Sequence, residues 1–187
     1  MALMKNWIIF CILLTLLHSC GSTKNSLDTK ATENFTNLIK DRSFEFTADW
    51  ANPMATQGLN AISNAGLLPP GSNAGSIQIN GTANLLKVKG DSVMANLPYY
   101  GERRFGGGYG SNTGIEFEGI PKNYTEDYDT DKQQYNISFL MDKKMENYNV
   151  NIFVFPNKTA TVTVTSNQRN TIRYQGHVAK LEGPETP

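Results

Sequence analysis

The sequence predicts an all-β domain of eight or nine antiparallel strands, and three observations support this. Apolar and polar residues alternate with period two along most of the chain after residue 43. The alternation is clearest in Thr159–Thr165, where four Thr residues alternate with Ala160, Val162 and Val164. Turn signals rich in Gly, Pro and Asn separate these stretches, and helical periodicity is confined to one short segment. Sequential antiparallel strands in this number close into a barrel or, alternatively, pack as a β-sandwich.

Residues 1–19 have the features of a lipoprotein signal peptide. Lys5 precedes an uncharged run, Trp7–Leu17, which is shorter than the roughly 20 residues that cross a bilayer. The run ends at Leu17-His18-Ser19-Cys20, which matches a lipobox except that His18 stands where a small residue is usual. We therefore expect cleavage before Cys20, acylation of its thiol and a lipid anchor in a membrane.

Residues 20–32 are expected to form the lipidated cysteine and a flexible tether, because they are polar and rich in Ser, Thr, Lys and Asn. Some surface-exposed bacterial lipoproteins carry acidic residues just after the lipidated Cys. Here no acidic residue follows Cys20 before Asp28, which favours the periplasmic face of the outer membrane and leaves surface exposure open. The chain balances 17 basic against 17 acidic residues, so nothing favours nucleic acid as a partner. The partners expected are the membrane, through the lipid on Cys20, and a small hydrophobic ligand or an envelope protein.

Residues 33–187 form the predicted single β domain. It opens with its only predicted helix, which begins at Thr32 as N-cap and ends at Lys40. The predicted strands are Ser43–Trp50, Ser76–Ile79, Leu85–Lys89, Ser92–Leu97, Ile115–Gly119, Tyr135–Met141, Tyr148–Phe155, Thr159–Thr165 and Thr171–Val178. In the first strand, the alternating apolar residues up to Trp50 are expected to share one face. The irregular segments 52–73 and 98–114 exceed the ~12–15 residues beyond which loops in compact domains are usually functional or disordered.

The segment around the fourth predicted strand resembles a known family. A strand that ends in Leu97-Pro98-Tyr99-Tyr100-Gly101, then Arg103-Arg104, a Gly-rich stretch and Gly114–Gly119 resembles Bacteroidetes lipoproteins that share domain of unknown function 4251. The closing segment Val162–Gly176 is similar to the same family. The resemblance covers roughly residues 35–178 and implies a lipocalin-like barrel on an envelope lipoprotein. Since the family has no assigned activity, it implies no functional residue.

Candidates for catalysis are few, and a non-enzymatic protein is predicted. His177 is the only His of the mature chain, and it shares a strand face with Arg173 and Gln175, as a solvated strand residue does. With no thiol to spare, Cys/His catalysis and the common zinc clusters are excluded for a single chain. Glu116 and Glu118 share a strand face and represent the remaining alternative, a glycan-active enzyme with paired carboxylates.

No cofactor is predicted, and the one metal candidate is weak. Asp127, Asp129 and Asp131 have the opening spacing of a calcium loop. However, Lys132 stands where Gly makes the turn, and Ser138 stands where a bidentate Glu closes the site. A solvated acidic loop explains the same residues.

Segment 98–114 supplies the candidate recognition residues. Its Gly residues give the backbone conformational freedom, and it also carries aromatic and basic side chains. These residues are Tyr99, Tyr100, Arg103, Arg104, Phe105 and Tyr109. In the alternative interpretation, the two tyrosines that begin the segment close one end of the barrel. The predicted function is a lipid-anchored binding module for a small hydrophobic or amphipathic ligand, or for a partner, at the mouth framed by the two long loops. The alternative is a structural or chaperone-like outer-membrane factor without a small-molecule ligand.

Overall fold

A computed structural model describes residues 29–80, 83–104, 114–143 and 145–181. Its helices are α1 (Thr29–Lys40) and α2 (Gln57–Asn64). Its strands are β1 (Ser43–Pro53), β2 (Ile77–Gln78), β3 (Leu85–Lys89), β4 (Ser92–Leu97), β5 (Ile115–Gly119), β6 (Lys122–Asp129), β7 (Gln134–Lys143), β8 (Glu146–Val154), β9 (Thr159–Ser166) and β10 (Ile172–Lys180). The predicted all-β class is confirmed. Neither of the helices described is long and apolar enough to span a membrane.

Nine strands form one antiparallel sheet in the order β5-β4-β3-β1-β10-β9-β8-β7-β6, and β2 pairs separately with β1. The sheet curls into a half-barrel whose two edge strands, β5 and β6, follow each other in the chain. No ladder joins these two strands within the described residues, so side chains close the gap. The Phe117 ring on β5 lies 6.3 Å from the Phe139 ring on β7 and 5.4 Å from the Tyr148 ring on β8.

The concave face of the sheet holds the core. The inward-facing aliphatic and aromatic side chains of β7, β8 and β9 are at most 4% exposed, whereas the residues between them point to solvent. A side chain that lined a water-filled cavity would retain exposed area. The inner faces of these three strands therefore pack against other side chains and do not line an open ligand cavity.

Helix α1 covers the end of the half-barrel at which β1 begins. Phe35 and Ile39 are buried there, and the Phe35 ring meets the Tyr135 ring edge-on at 5.4 Å. The predicted N-terminal helix is thus confirmed, although it begins at Thr29. The loops 98–104 and 166–172 lie at the opposite end, which we call the loop end.

The expectation of a single helix was wrong, since α2 lies within the segment predicted to be irregular. Its N-cap is Thr56, whose hydroxyl oxygen accepts a hydrogen bond from the Leu59 N–H at 3.2 Å. Leu59 is the buried residue of this helix. With 8 residues and Gly58 in its first turn, α2 is too short for a helical period to be distinguished from the irregular sequence around it.

Candidate ligand-binding site

A β-bulge in β1 moves Trp50 to the outer face of the sheet. The register between β1 and β10 shifts between Ala48 and Trp50, so Asp49 is the extra residue. The buried Asn84 side chain amide donates to the carbonyl oxygens of Ala48, at 2.8 Å, and of Ile79, at 2.6 Å. This contact holds the bulge. The predicted placement of Trp50 on the same face as the preceding apolar residues was therefore wrong, because an inserted residue reverses the alternation after it.

Gly176 on β10 permits the close approach of the two strands at this bulge. It pairs with Ala48 on one side and with Ala160 on the other, so three small residues form one row across the sheet. A Cβ atom at position 176 would overlap the backbone carbonyl oxygen of Thr47. The local geometry of the sheet therefore requires glycine at this position.

A groove of about 330 Å³ lies on the outer face beside this bulge. Its aromatic side chains are Trp50 and Phe155, both half-buried. The other residues that line it are Asp49, Thr159, Ala160, Thr161, Gln175 and Gly176. Aromatic and polar groups therefore meet in one concave surface on a sheet face that is otherwise solvated.

The strand register arranges the outward side chains of the groove in a row. Trp50 pairs with Gln175 on β10, which pairs with Thr161 on β9. Phe153 on β8 pairs with Thr161 and extends the row beyond the groove. The row covers three strand spacings, or about 14 Å. A ligand along it would meet an aromatic ring at each end and hydrogen-bonding groups between.

In the described part of the chain, no residue that lines the groove has a cationic side chain. Asp49 is the only lining residue with a charge, and its Oδ2 lies 3.3 Å from Nδ1 of His177, which is next to the groove on β10. His177 itself is exposed, as predicted for a solvated strand residue. This electrostatic environment suits a neutral ligand with hydroxyl or amide groups better than it suits an anion.

A second polar cluster lies at the loop end, and it contains a buried ion pair. The Glu146 carboxylate receives hydrogen bonds from Arg169 Nε and from the Ser166 hydroxyl, each at 2.7 Å. Arg103 donates to the same carboxylate at 3.3 Å. Glu146 and Arg169 are 7% and 3% exposed. The ion pair is therefore shielded from solvent and is not accessible to a ligand from solution.

The electrostatics of this cluster favour an ionised Glu146. Burial opposes ionisation, but hydrogen bonds from Arg169 and Ser166 outweigh it, and the pKa of the carboxyl is lowered from its ordinary 4.5. Desolvation, followed by repulsion from the Glu146 charge, raises the pKa of the neighbouring Tyr148 to about 12. The phenol thus stays neutral near the carboxylate across the physiological range.

The predicted recognition residues divide into internal and exposed groups. Tyr99 packs on the core, and its hydroxyl lies 3.0 and 3.1 Å from the carbonyl oxygens of Glu102 and Asn170. The Arg169 guanidinium lies over its ring, 5.0 Å from the centroid. Tyr100 also packs against the core. These contacts support the alternative interpretation, in which both tyrosines close this end of the half-barrel.

The two predicted arginines differ in exposure. Arg103 reaches Glu146 and also Gln168 Oε1 at 3.3 Å, while the exposed Arg104 donates to Asn170 Oδ1 at 3.2 Å. Phe105 and Tyr109 lie outside the described residues, as does Cys20.

The acidic residues of the weak calcium candidate lie at the end of a strand and in the turn that follows it. Asp127 and Asp129 belong to β6, a strand the sequence did not predict because both of its faces are polar. Asp129 Oδ1 accepts from the N–H groups of Asp131 and Lys132 at 3.1 and 3.0 Å, which caps the turn to β7. No group of three His, Cys, Asp or Glu residues able to hold a metal occurs in the described part of the chain.

The paired carboxylates of the enzyme alternative lie on β5 as predicted, opposite the buried Ile115 and Phe117. Glu116 Oε2 lies 4.0 Å from Lys143 Nζ, and Glu118 is exposed. Neither carboxylate is among the residues that line the outer groove.

Comparisons with known proteins place the fold. A crystal structure of a DUF4251 family protein from Bacteroides eggerthii DSM 20697, at 1.95 Å resolution, aligns with a TM-score of 0.55 and 15% sequence identity. The alignment covers 82% of this chain and 89% of that one, and at this identity it concerns the fold alone. No curated protein matches the chain. The model of the family described as domain of unknown function (DUF4251) matches residues 26–178, so the chain belongs to that family, as its sequence motifs predicted.

Proposed function

We propose that the protein is a non-enzymatic binding module of the cell envelope, anchored at the outer membrane through a lipidated Cys20. Its ligand is a small amphipathic molecule held in the outer groove. The observation that carries this proposal is the meeting of two aromatic side chains, Trp50 and Phe155, with polar groups in one concavity. A volume of about 330 Å³ falls at the lower end of the ~300–1,000 Å³ typical of small-molecule sites.

The groove is a better candidate than the mouth predicted from the sequence. At the loop end, Tyr99 and Arg103 are engaged in internal contacts, and the inward faces of β7 to β9 are packed. The groove side chains face solvent on one side, and Gln175 is exposed. Aromatic residues half-buried next to exposed amides are common in recognition sites, because they offer apolar area and directional hydrogen bonds together.

The first test is recovery of the natural ligand with the protein. We expect mass spectrometry of compounds released on denaturation to find a small molecule in the wild type that Trp50→Ala loses. Tyr128→Ala, which truncates an exposed ring on β6, is the control and should retain it. Equal recovery from all three proteins, or no small molecule from any of them, would contradict binding in the groove. If another protein copurified equally with all three, that result would instead favour docking of an envelope protein without a small-molecule ligand.

A second function, docking of an envelope protein without a small-molecule ligand, is favoured by exposed apolar side chains at the loop end. Leu67 and Met145 are 74% and 83% exposed, and Met54 is 56% exposed. Met54 and Leu67 flank α2, and Met145 lies in the turn from β7 to β8. Isolated exposed apolar residues are common on soluble proteins, so these three side chains indicate docking less specifically than the groove indicates a small ligand.

The anchor has a separate test, since it does not depend on the groove. We expect metabolic labelling with a fatty-acid analogue to label the wild type and to fail with Cys20→Ala, which should also remain unprocessed or mislocalised. Cys11→Ala changes the other Cys of the chain and should be labelled normally. Unlabelled wild-type protein would overturn the lipid anchor.

A further inference from the structure

We infer that the ligand of the outer groove is a neutral carbohydrate whose ring hydroxyls are equatorial, as in glucose and N-acetylglucosamine. This inference rests on the proposed binding function and names the ligand class of the same site. It follows from three properties of the groove: its aromatic surface, its row of uncharged polar groups and the absence of Lys and Arg from its described lining residues.

The aromatic surface suits a sugar ring. A pyranose with equatorial hydroxyls presents axial C–H bonds on its two faces, and these faces pack on aromatic rings while the hydroxyls stay free at the edge. Trp50 and Phe155 both line the groove and are both half-buried, so part of each ring remains available. The bulge at Asp49 and its contact with Asn84 fix the backbone that carries Trp50, so its position is set before a ligand binds.

The polar groups suit hydroxyl recognition. Gln175 supplies an amide that both donates and accepts, and Thr159 and Thr161 supply hydroxyls. The Asp49 carboxylate accepts only, and a vicinal pair of sugar hydroxyls can donate to it. Gln175 and Thr161 are direct neighbours across β10 and β9, one strand spacing apart. Their side chains can therefore bond neighbouring hydroxyls on one ring edge.

The same lining disfavours a lipid or an anion. An acyl chain needs a continuous apolar tunnel, whereas half of the eight residues that line this groove are Asp, Gln or Thr. A phosphate or carboxylate head group needs cationic partners, and no Lys or Arg is among the described residues that line the groove. The volume of about 330 Å³ also limits the bound part of the ligand to one or two sugar rings.

Tryptophan fluorescence can test this directly, because the chain has 2 Trp residues, Trp7 and Trp50. In the protein with Trp7→Phe, reconstituted in phosphatidylcholine vesicles that contain no other protein, all tryptophan emission comes from Trp50, whether or not residues 1–19 have been cleaved. We expect cellobiose or N,N′-diacetylchitobiose to change this emission saturably. Thr161→Val should weaken that binding by about tenfold, as for the loss of one buried hydrogen bond. Thr163→Val, the same change on the same strand face outside the groove, should leave it unchanged.

The outcomes separate the ligand class from the site. If neither disaccharide changes the emission but 1-octanol does so saturably, the carbohydrate inference is overturned and the groove remains a binding site. If none of the three probes changes it, the inference and the proposed groove function both fall. If Thr163→Val weakens disaccharide binding as much as Thr161→Val does, the sugar binds elsewhere and the assignment to this groove is wrong.

Discussion

Arg169→Ala is expected to lower the free energy of unfolding by about 3 kcal/mol, because it leaves the buried Glu146 carboxylate without its main partner. Arg169 is 3% exposed and provides the 2.7 Å bond to that carboxylate. Arg103 and Ser166 remain, so the carboxylate keeps weaker support. The variant also loses the guanidinium that covers the Tyr99 ring, which loosens the packing of the loop end. Denaturant unfolding at neutral pH measures the effect.

Two controls separate a buried charge from a generic loss of arginine. Arg173→Ala removes an exposed guanidinium from the outer face of β10 and should change stability by less than about 0.5 kcal/mol. The double variant Glu146→Gln with Arg169→Met removes both charges, so it should be more stable than Arg169→Ala alone. Equal unfolding midpoints for Arg169→Ala and the wild type would show that the ion pair contributes nothing to stability.

The ion pair also predicts a pH dependence. The pKa of Glu146 is lowered in the folded protein, so its contribution to stability is fully present above the ordinary Glu value of 4.5. It is lost as the pH falls through the lowered folded value, because protonation then breaks the bond to Arg169. The double variant lacks this group and should lose less stability than the wild type between neutral and acidic pH.

The strands that have one buried face were the predictable part of the fold. In β9, Ala160, Val162 and Val164 are buried and the Thr residues face outward, as the period of two indicated. By contrast, β6 was missed because it is an edge strand with few buried side chains, so its sequence has no apolar alternation. The sheet places β6 through its pairing with β7, which periodicity cannot reveal.

The groove was not predictable as a site, because its residues come from distant parts of the chain. The position of Trp50 depends on a bulge held in place by Asn84, which lies 36 residues after its hydrogen-bond partner Ala48. One signal was present in the sequence. Phe153 lies between the buried Ile152 and Val154, so its side chain belongs to the outer face of the strand, and Phe155 comes two residues later, at the next outward position of the alternation. Two outward aromatics beside a strand of Thr residues already indicate a surface that differs from ordinary solvated sheet.

Gly176→Ala should have an effect of similar size, because the added methyl group has nowhere to go. Its Cβ would overlap the Thr47 carbonyl oxygen, and the nearest atoms are all backbone, which cannot rotate away as a flexible side chain can. Relief requires β1 to move from β10 along one of the two longest ladders of the sheet. We expect a loss of about 3 kcal/mol, the upper end of what overpacking usually costs.

Gly75→Ala is the matched control for this substitution, since its Cβ would meet the Asn73 side chain at an ordinary 3.6 Å. It should change stability by less than about 0.5 kcal/mol. The two variants also differ in their second readout: displacing β1 at the bulge moves Trp50, so Gly176→Ala should alter the emission of Trp50 in the folded Trp7→Phe chain, and Gly75→Ala should not. A wild-type melting temperature and unchanged Trp50 emission for Gly176→Ala would mean that β1 and β10 are not in close contact at the bulge. The backbone that positions the groove would then be different from the one described.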